Sequence, residues 1–236
     1  MAIGTPTLIA QGGDNTSSTS LVLTLTAAAP TGTQINVQFF GREAGTDYAC
    51  TDTAGNTYVI DLTRATHATV NLEYVLFRAS NVTALAISDT ITISWTTAGT
   101  VKGATAFHTT GLAATTPLTG TPITGEGDTA TPDSGDITTA DADAVLFGAV
   151  GVFGAHALTE DTNFTSISDQ TTGSGRRVVT AYRIVSATET MDYTPTFADV
   201  GSWTAGIAAY KAAAVSAAVG RGLTDSVLLE KRRLVA

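Results

Sequence analysis

The run Ser202-Trp203-Thr204-Ala205-Gly206-Ile207-Ala208-Ala209-Tyr210-Lys211 constrains this chain more than any other stretch, because its side chains sort at period two. Trp203, Ala205, Ile207 and Ala209 share one face of an extended strand, and Thr204, Gly206, Ala208 and Tyr210 share the other. Some 150 residues earlier, Asp52-Thr53-Ala54-Gly55-Asn56 separates two strand-like runs. Asp, Gly and Asn accept the tight and left-handed backbone that bulk at Cβ resists, so this segment reads as a hairpin turn. A sheet then closes at the Trp203 run, and the chain reads as one large all-β domain with its edges far apart in sequence.

Composition agrees with that class. Of 236 residues, 43% are hydrophobic, enough for a core, and only 14% are charged. The polar surface therefore falls to Thr, Ser, Gly and Asn. Thr suits a pleated, half-wet face because its branch stiffens χ1 while its hydroxyl stays in water. All-β sandwiches of about 200–250 residues occur as single domains.

Strands recur along the chain. Leu21–Thr26 alternates with leucines inward, and Gln34–Phe39 follows the turn at Pro30-Thr31-Gly32. Tyr58–Leu62, Thr69–Phe77 and Thr90–Trp95 come next, the last alternating so cleanly that one of its faces must be wet. From Gly99 to Ala140 Thr, Gly and Pro dominate, and this stretch is expected to cross between two sheets. Asp143–Phe153 is a nearly continuous apolar run suited to a central strand, followed by Arg177–Val185, Met191–Phe197 and the Trp203 strand. Roughly nine antiparallel strands result, close to a jelly-roll β-sandwich over residues 1–212, with 213–236 as a C-terminal extension.

Three segments carry a family resemblance: Asp52, Gly55, Asn56, Thr57 and Tyr58 in the early turn, Tyr182 to Thr188, and the terminal Trp203 to Lys211. Together they resemble jelly-roll β-sandwich proteins found among tailed-bacteriophage structural proteins and some bacterial surface proteins, over about residues 5–212. The resemblance implies a particle component, such as a minor tail, fibre or head-decoration subunit.

Few residues carry recognisable chemistry. His67, His108 and His156 are isolated, without the paired spacing that sets two ligands on one metal, and are expected at the surface or in loops. There is no Gly-x-Ser-x-Gly elbow and no Gly-rich phosphate loop. Arg176 and Arg177 follow Gly173-Ser174-Gly175, which reads as a polar hairpin tip or a basic nest. Cys50 is the single cysteine, so an intramolecular disulfide is impossible and a small buried residue is expected there. Glu126, Asp128, Asp133, Asp136, Asp141 and Asp143 lie in a stretch, Gly103 to Gly175, with no Lys or Arg. They read as solvated loop acids, with calcium as the hard-cation alternative, although their spacing matches no EF-hand loop. No catalytic residue, metal site or cofactor is assigned.

Charge is unevenly placed. The net charge is −9, while residues 221–236 carry +2, leaving −11 on residues 1–220. An acidic body repels phosphate, which argues against a nucleic-acid partner. No run reaches the length of a membrane span, and the N-terminus lacks signal-peptide character. The protein is therefore expected to be made in the host cytoplasm, which permits the location in a virion that the resemblance implies. Beyond the finished domain, Val227, Leu228, Leu229 and Leu234 restore large apolar groups beside Lys231, Arg232 and Arg233. Either a partner buries them or they fold back on the sandwich, and the expected role is assembly. The functional expectation is a noncatalytic virion structural protein, a multi-copy tail, fibre or head-decoration component whose partners are other virion proteins and copies of itself. The alternative is a carbohydrate-binding module of a surface or adhesion protein, with a host-surface glycan as ligand.

Overall fold

Short alternations punctuated by Gly, Pro, Asn and Asp fold into seventeen antiparallel strands, with no helix among the described residues. The computed structural model describes residues 2–42, 47–154, 156–172 and 175–214, with backbone alone at 63–65. The first eight strands are β1 (Thr7–Asp14), β2 (Ser18–Thr24), β3 (Gln34–Arg42), β4 (Ala49–Asp52), β5 (Val59–Thr66), β6 (Leu72–Ala79), β7 (Thr90–Gly99) and β8 (Val101–Thr109). They form a five-stranded sheet ordered β1-β8-β3-β6-β5 and a three-stranded sheet ordered β2-β7-β4. The pairings β1·β8, β2·β7 and β3·β6 are those of a jelly roll, in which the two ends of a segment run back along each other.

The same winding then occurs a second time. Its strands are β9 (Ile123–Thr129), β10 (Ile137–Thr138), β11 (Asp143–Val152), β12 (Leu158–Thr159), β13 (Thr165–Thr172), β14 (Arg176–Ser186), β15 (Thr190–Met191), β16 (Thr196–Phe197) and β17 (Gly201–Lys211). The second five-stranded sheet runs β13-β14-β11-β17-β9. With β1, β3, β5, β6 and β8 matched in chain order to β9, β11, β13, β14 and β17, the two sheets have one strand order. The pairs β10·β15 and β12·β16 take the place of β2-β7-β4. The strand equivalent to β7 is split because Pro195 has no N–H for a ladder and the Tyr193 ring turns inward over Gly148. A Cβ at 148 would stand 2.4 Å from that ring. The single strand expected over Met191–Phe197 is thus two short ones.

Four layers stack in sequence, with three cores between them. Leu21, Leu23, Ile35, Val37, Phe39, Ile91 and Ile93 fill the space between the β2-β7-β4 sheet and the first large sheet. Phe40, Tyr74, Phe107, Phe147 and Tyr210 fill the seam between the two large sheets. Leu146, Val150, Tyr193, Phe197 and Trp203 lie beneath the short pairs. The single sandwich expected over 1–212 is therefore built as two repeats, and its last strand ends at Lys211.

Across the seam β1 packs on β13, β5 on β9, β8 on β14 and β6 on β17. In matched positions these contacts are reciprocal: first with fifth and fifth with first, eighth with sixth and sixth with eighth. Reciprocity of this kind is the mark of a two-fold, isologous interface, here formed inside one chain.

Several expectations change in the structure. Asp52–Asn56 is no hairpin; it carries the chain from β4 in one sheet to β5 in another. Its turn chemistry holds, with Asp52 Oδ1 accepting from Ala54 N and Asn56 N at 3.0 Å each and Gly55 at φ +73. The Trp203 strand is not an edge, since β17 lies between β11 and β9. Within the stretch read as a crossing, β8, β9 and β10 are strands. Small residues hid β8: a Cβ on Gly103 would meet Thr172 Cγ2 at 2.8 Å, so the close approach of the sheets selects Gly and Ala.

Candidate assembly surfaces

The seam is built by glycines that admit rings and by a buried ion pair. A Cβ at Gly151 would lie 2.3 Å from the Phe40 ring, and one at Gly206 would lie 2.3 Å from Tyr74. Phe40 and Tyr74 stack with centroids 4.6 Å apart, so neither ring has room to move. Asp61, with its side chain 4% exposed, accepts from Arg78 Nε at 2.5 Å and Nη2 at 3.1 Å. Tyr210 OH, from the other repeat, donates to Asp61 Oδ2 at 2.9 Å. Burial and that carboxylate push the Tyr210 hydroxyl well above its usual range, which keeps it a donor. Elsewhere Ser168 Oγ donates to Gln11 Oε1 at 2.5 Å, and Gln170 Nε2 donates to the Ala104 carbonyl at 2.9 Å.

Groups with possible chemistry are dispersed or already engaged. His67 lies in the loop between β5 and β6, one of the two settings expected, yet it is buried there, with Nε2 3.3 Å from Asp128 of the second repeat. His108 is half-buried, and desolvation lowers its pKa. His156 Nδ1 stands 3.6 Å from Asp199. Cys50 is buried as expected, and burial raises its thiol pKa. Strands β13 and β14 pair as far as Thr172 and Arg176, and Gly173 and Ser174 of the expected hairpin tip lie outside the described residues. Arg176 lies over the Phe153 ring at 3.7 Å and Arg177 is held by Asp169.

The six acids separate into three places. Glu126 and Asp128 lie on the edge strand β9, Asp133 and Asp136 lie in the connection that leads into β10, and Asp141 and Asp143 stand at the start of β11. All are exposed except Asp141, which is half-buried with Lys211 Nζ 4.0 Å away. Asp133 and Asp136, with Asp161, stand near Asp192, whose pKa is raised by burial and then by these three neighbours. Among the described residues, no group of three or more His, Cys, Asp or Glu could hold a metal ion.

Two outer surfaces remain. The outward face of the β2-β7-β4 sheet sets Val22, Thr92 and Thr51 in one rank and Ser20, Ser94 and Ala49 in the next, an uncharged hydroxyl face. This is the wet face expected for Thr90–Trp95. Where the link between repeats meets the last strand, a crevice of about 640 Å³ opens. Ala113 and Ala114, Asp141 and Asp143, and Ala213 line it, together with Lys211, whose Nζ stands 4.0 Å from Asp141. Backbone bonds fix its shape: Ala113 N to Lys211 O at 3.1 Å, Ala212 N to Asp143 O at 2.9 Å and Ala213 N to Gly111 O at 2.7 Å. No local periodicity signals it, because its lining comes from three distant segments.

No aromatic side chain among the described residues is exposed: both tryptophans are buried, and Tyr48, Tyr58, Tyr182 and Phe153 are half-buried. The residues expected to act in assembly, Val227, Leu228, Leu229, Lys231, Arg232, Arg233 and Leu234, lie outside the described residues. Comparison with family models, curated proteins and solved structures found no match to this chain.

Proposed function

We propose that this chain is a noncatalytic virion structural protein of a tailed phage, present in several copies as a tail, fibre or head-decoration component. The observation that carries the reading is the seam: two jelly-roll windings joined face to face, with their aromatics turned inward. Such a block is rigid, since central strands of each large sheet, β3, β8, β11 and β17, are buried on both faces and cannot shift without repacking. Rigidity suits a particle part. A sugar platform needs exposed aromatic faces, and the described surface offers hydroxyls and dispersed carboxylates instead. Its proposed partners are other virion proteins and copies of itself, and its proposed location is the virion.

Gold-labelled antibody applied to released particles tests this, alongside a glycan array probed with the same protein. Labelling of intact particles at a fixed position supports the structural role. Unlabelled particles together with saturable glycan binding would replace it with the carbohydrate-binding reading.

A further inference from the structure

We infer that Lys102 and Asp14 condense to an isopeptide bond, an amide between their side chains that closes residues 14–102 into a covalent ring and fastens β1 to β8. The inference does not depend on the assembly reading above. The two residues face each other in the register of β1 and β8, and Lys102 Nζ lies 2.6 Å from Asp14 Oδ1. Gly13 lets the strands close here, since a Cβ on it would stand 2.4 Å from the Lys102 carbonyl oxygen. The Lys102 side chain is 1% exposed. Its Nζ donates to the Thr16 carbonyl at 2.5 Å and lies 6.0 Å from the centre of the Trp95 ring, so it is held in place on the dry side of the carboxylate. Keeping an ammonium and a carboxylate out of water is costly, and condensation removes both charges at once.

The contacts around the pair suit that reaction. Asp14 Oδ1 accepts from Thr16 N and from Thr16 Oγ1 at 2.9 Å each. These donors stand where negative charge gathers when a nucleophile adds to Cγ, the role of an oxyanion hole in acyl transfer. One proton passes from the ammonium to Oδ2, and the freed lone pair of Nζ forms the Nζ–Cγ bond. A second proton then moves from nitrogen to the same oxygen, the Cγ–Oδ2 bond breaks, and water leaves. Ammonium and carboxylate thus become amide and water, with nothing oxidised or reduced and no other reactant. The Asp14 side chain is 42% exposed, which gives the water an exit. Groups held in contact react as if at an effective molarity of about 10⁵–10⁸ M, and unactivated partners need that advantage. The ring takes in β2 to β7 entire, and closing it restricts the unfolded chain. With one cysteine, the chain has no disulfide of its own that could do the same.

Mass spectrometry of the full-length protein tests the bond. The intact protein should be one water lighter than its sequence. Trypsin does not cut after an acylated lysine, so the digest should contain residues 1–42 joined to residues 79–176. Recovery of 1–42, 79–102 and 103–176 as separate peptides at full mass overturns the inference. Lys102→Arg keeps a cation beside Asp14 but has no amine to acylate, and its mass should match its sequence. A variant still one water lighter would place the loss at another site and overturn the inference as well.

Discussion

Tyr210, on the last strand of the second repeat, donates its hydroxyl to Asp61 of the first at 2.9 Å, across the seam that joins two jelly rolls into one body. The acceptor is almost fully buried and is held from the other side by both nitrogens of the Arg78 fork. Tyr210→Phe removes one bond to a charged acceptor and should cost about 1.5–3 kcal/mol. Arg78→Ala strands the buried carboxylate and should cost more, about 3–5 kcal/mol. Urea melts of the two variants check the order; equal or reversed costs would show that the carboxylate does not depend on its guanidinium partner.

Gly151 faces the Phe40 ring, which is itself stacked on Tyr74. Gly151→Ala should destabilise by about 1–3 kcal/mol through overpacking, although strands normally gain from the change. Combining it with Phe40→Leu should recover part of the loss, a coupling that a double-mutant cycle reads directly. Additive costs would mean that the two residues do not meet.

Trp203 is 4% exposed beneath the short strand pairs, with its ring against Gly127 and its Nε1 donating to Thr129 Oγ1 at 3.1 Å. Trp203→Ala should cost about 3–5 kcal/mol by leaving a cavity. An unchanged melting temperature would contradict its place in the core.

Glu160 accepts from Tyr193 OH at 2.6 Å, and its pKa is raised by burial, with Asp161 and Asp169 adding to the rise. A carboxyl that binds its proton more tightly when folded favours the fold below the usual carboxylate range, and that contribution is lost as pH rises through the folded value. Glu160→Gln keeps an acceptor for Tyr193 and sheds the charge. Its stability relative to the parent should therefore be greater at neutral pH than near pH 4, about the usual carboxylate pKa. Denaturant midpoints at the two pH values test this, and a gap that widens on acidification would reverse the sign.

Legibility in the sequence followed burial. β7, with one wet face, shows clean alternation from Thr90 to Trp95, and β17 sorts into Trp203-Ala205-Ile207-Ala209 and Gly206-Ala208-Tyr210 sets that lie in different cores. The second core face of β17 was the clue to the extra layer, since a strand of an ordinary sandwich needs only one. β8, buried on both faces and crowded by Thr172 and Val178, carries Gly103, Ala104 and Ala106, and looks like a loop. The repeated winding has no counterpart in the sequence pattern, because strand order follows from pairing geometry, whereas the side chains of each half fit those they meet across the seam. The crevice was illegible for a different reason: Ala114, Asp141 and Ala213 meet through backbone bonds that no local pattern announces.

The structural role is tested most directly by counting this chain in density-gradient-purified particles with isotope-labelled standard peptides. A fixed number of copies per particle, several and unchanged by repeated high-salt washing, is the expected result. Loss of the chain on washing, or a count well below one per particle, would contradict it.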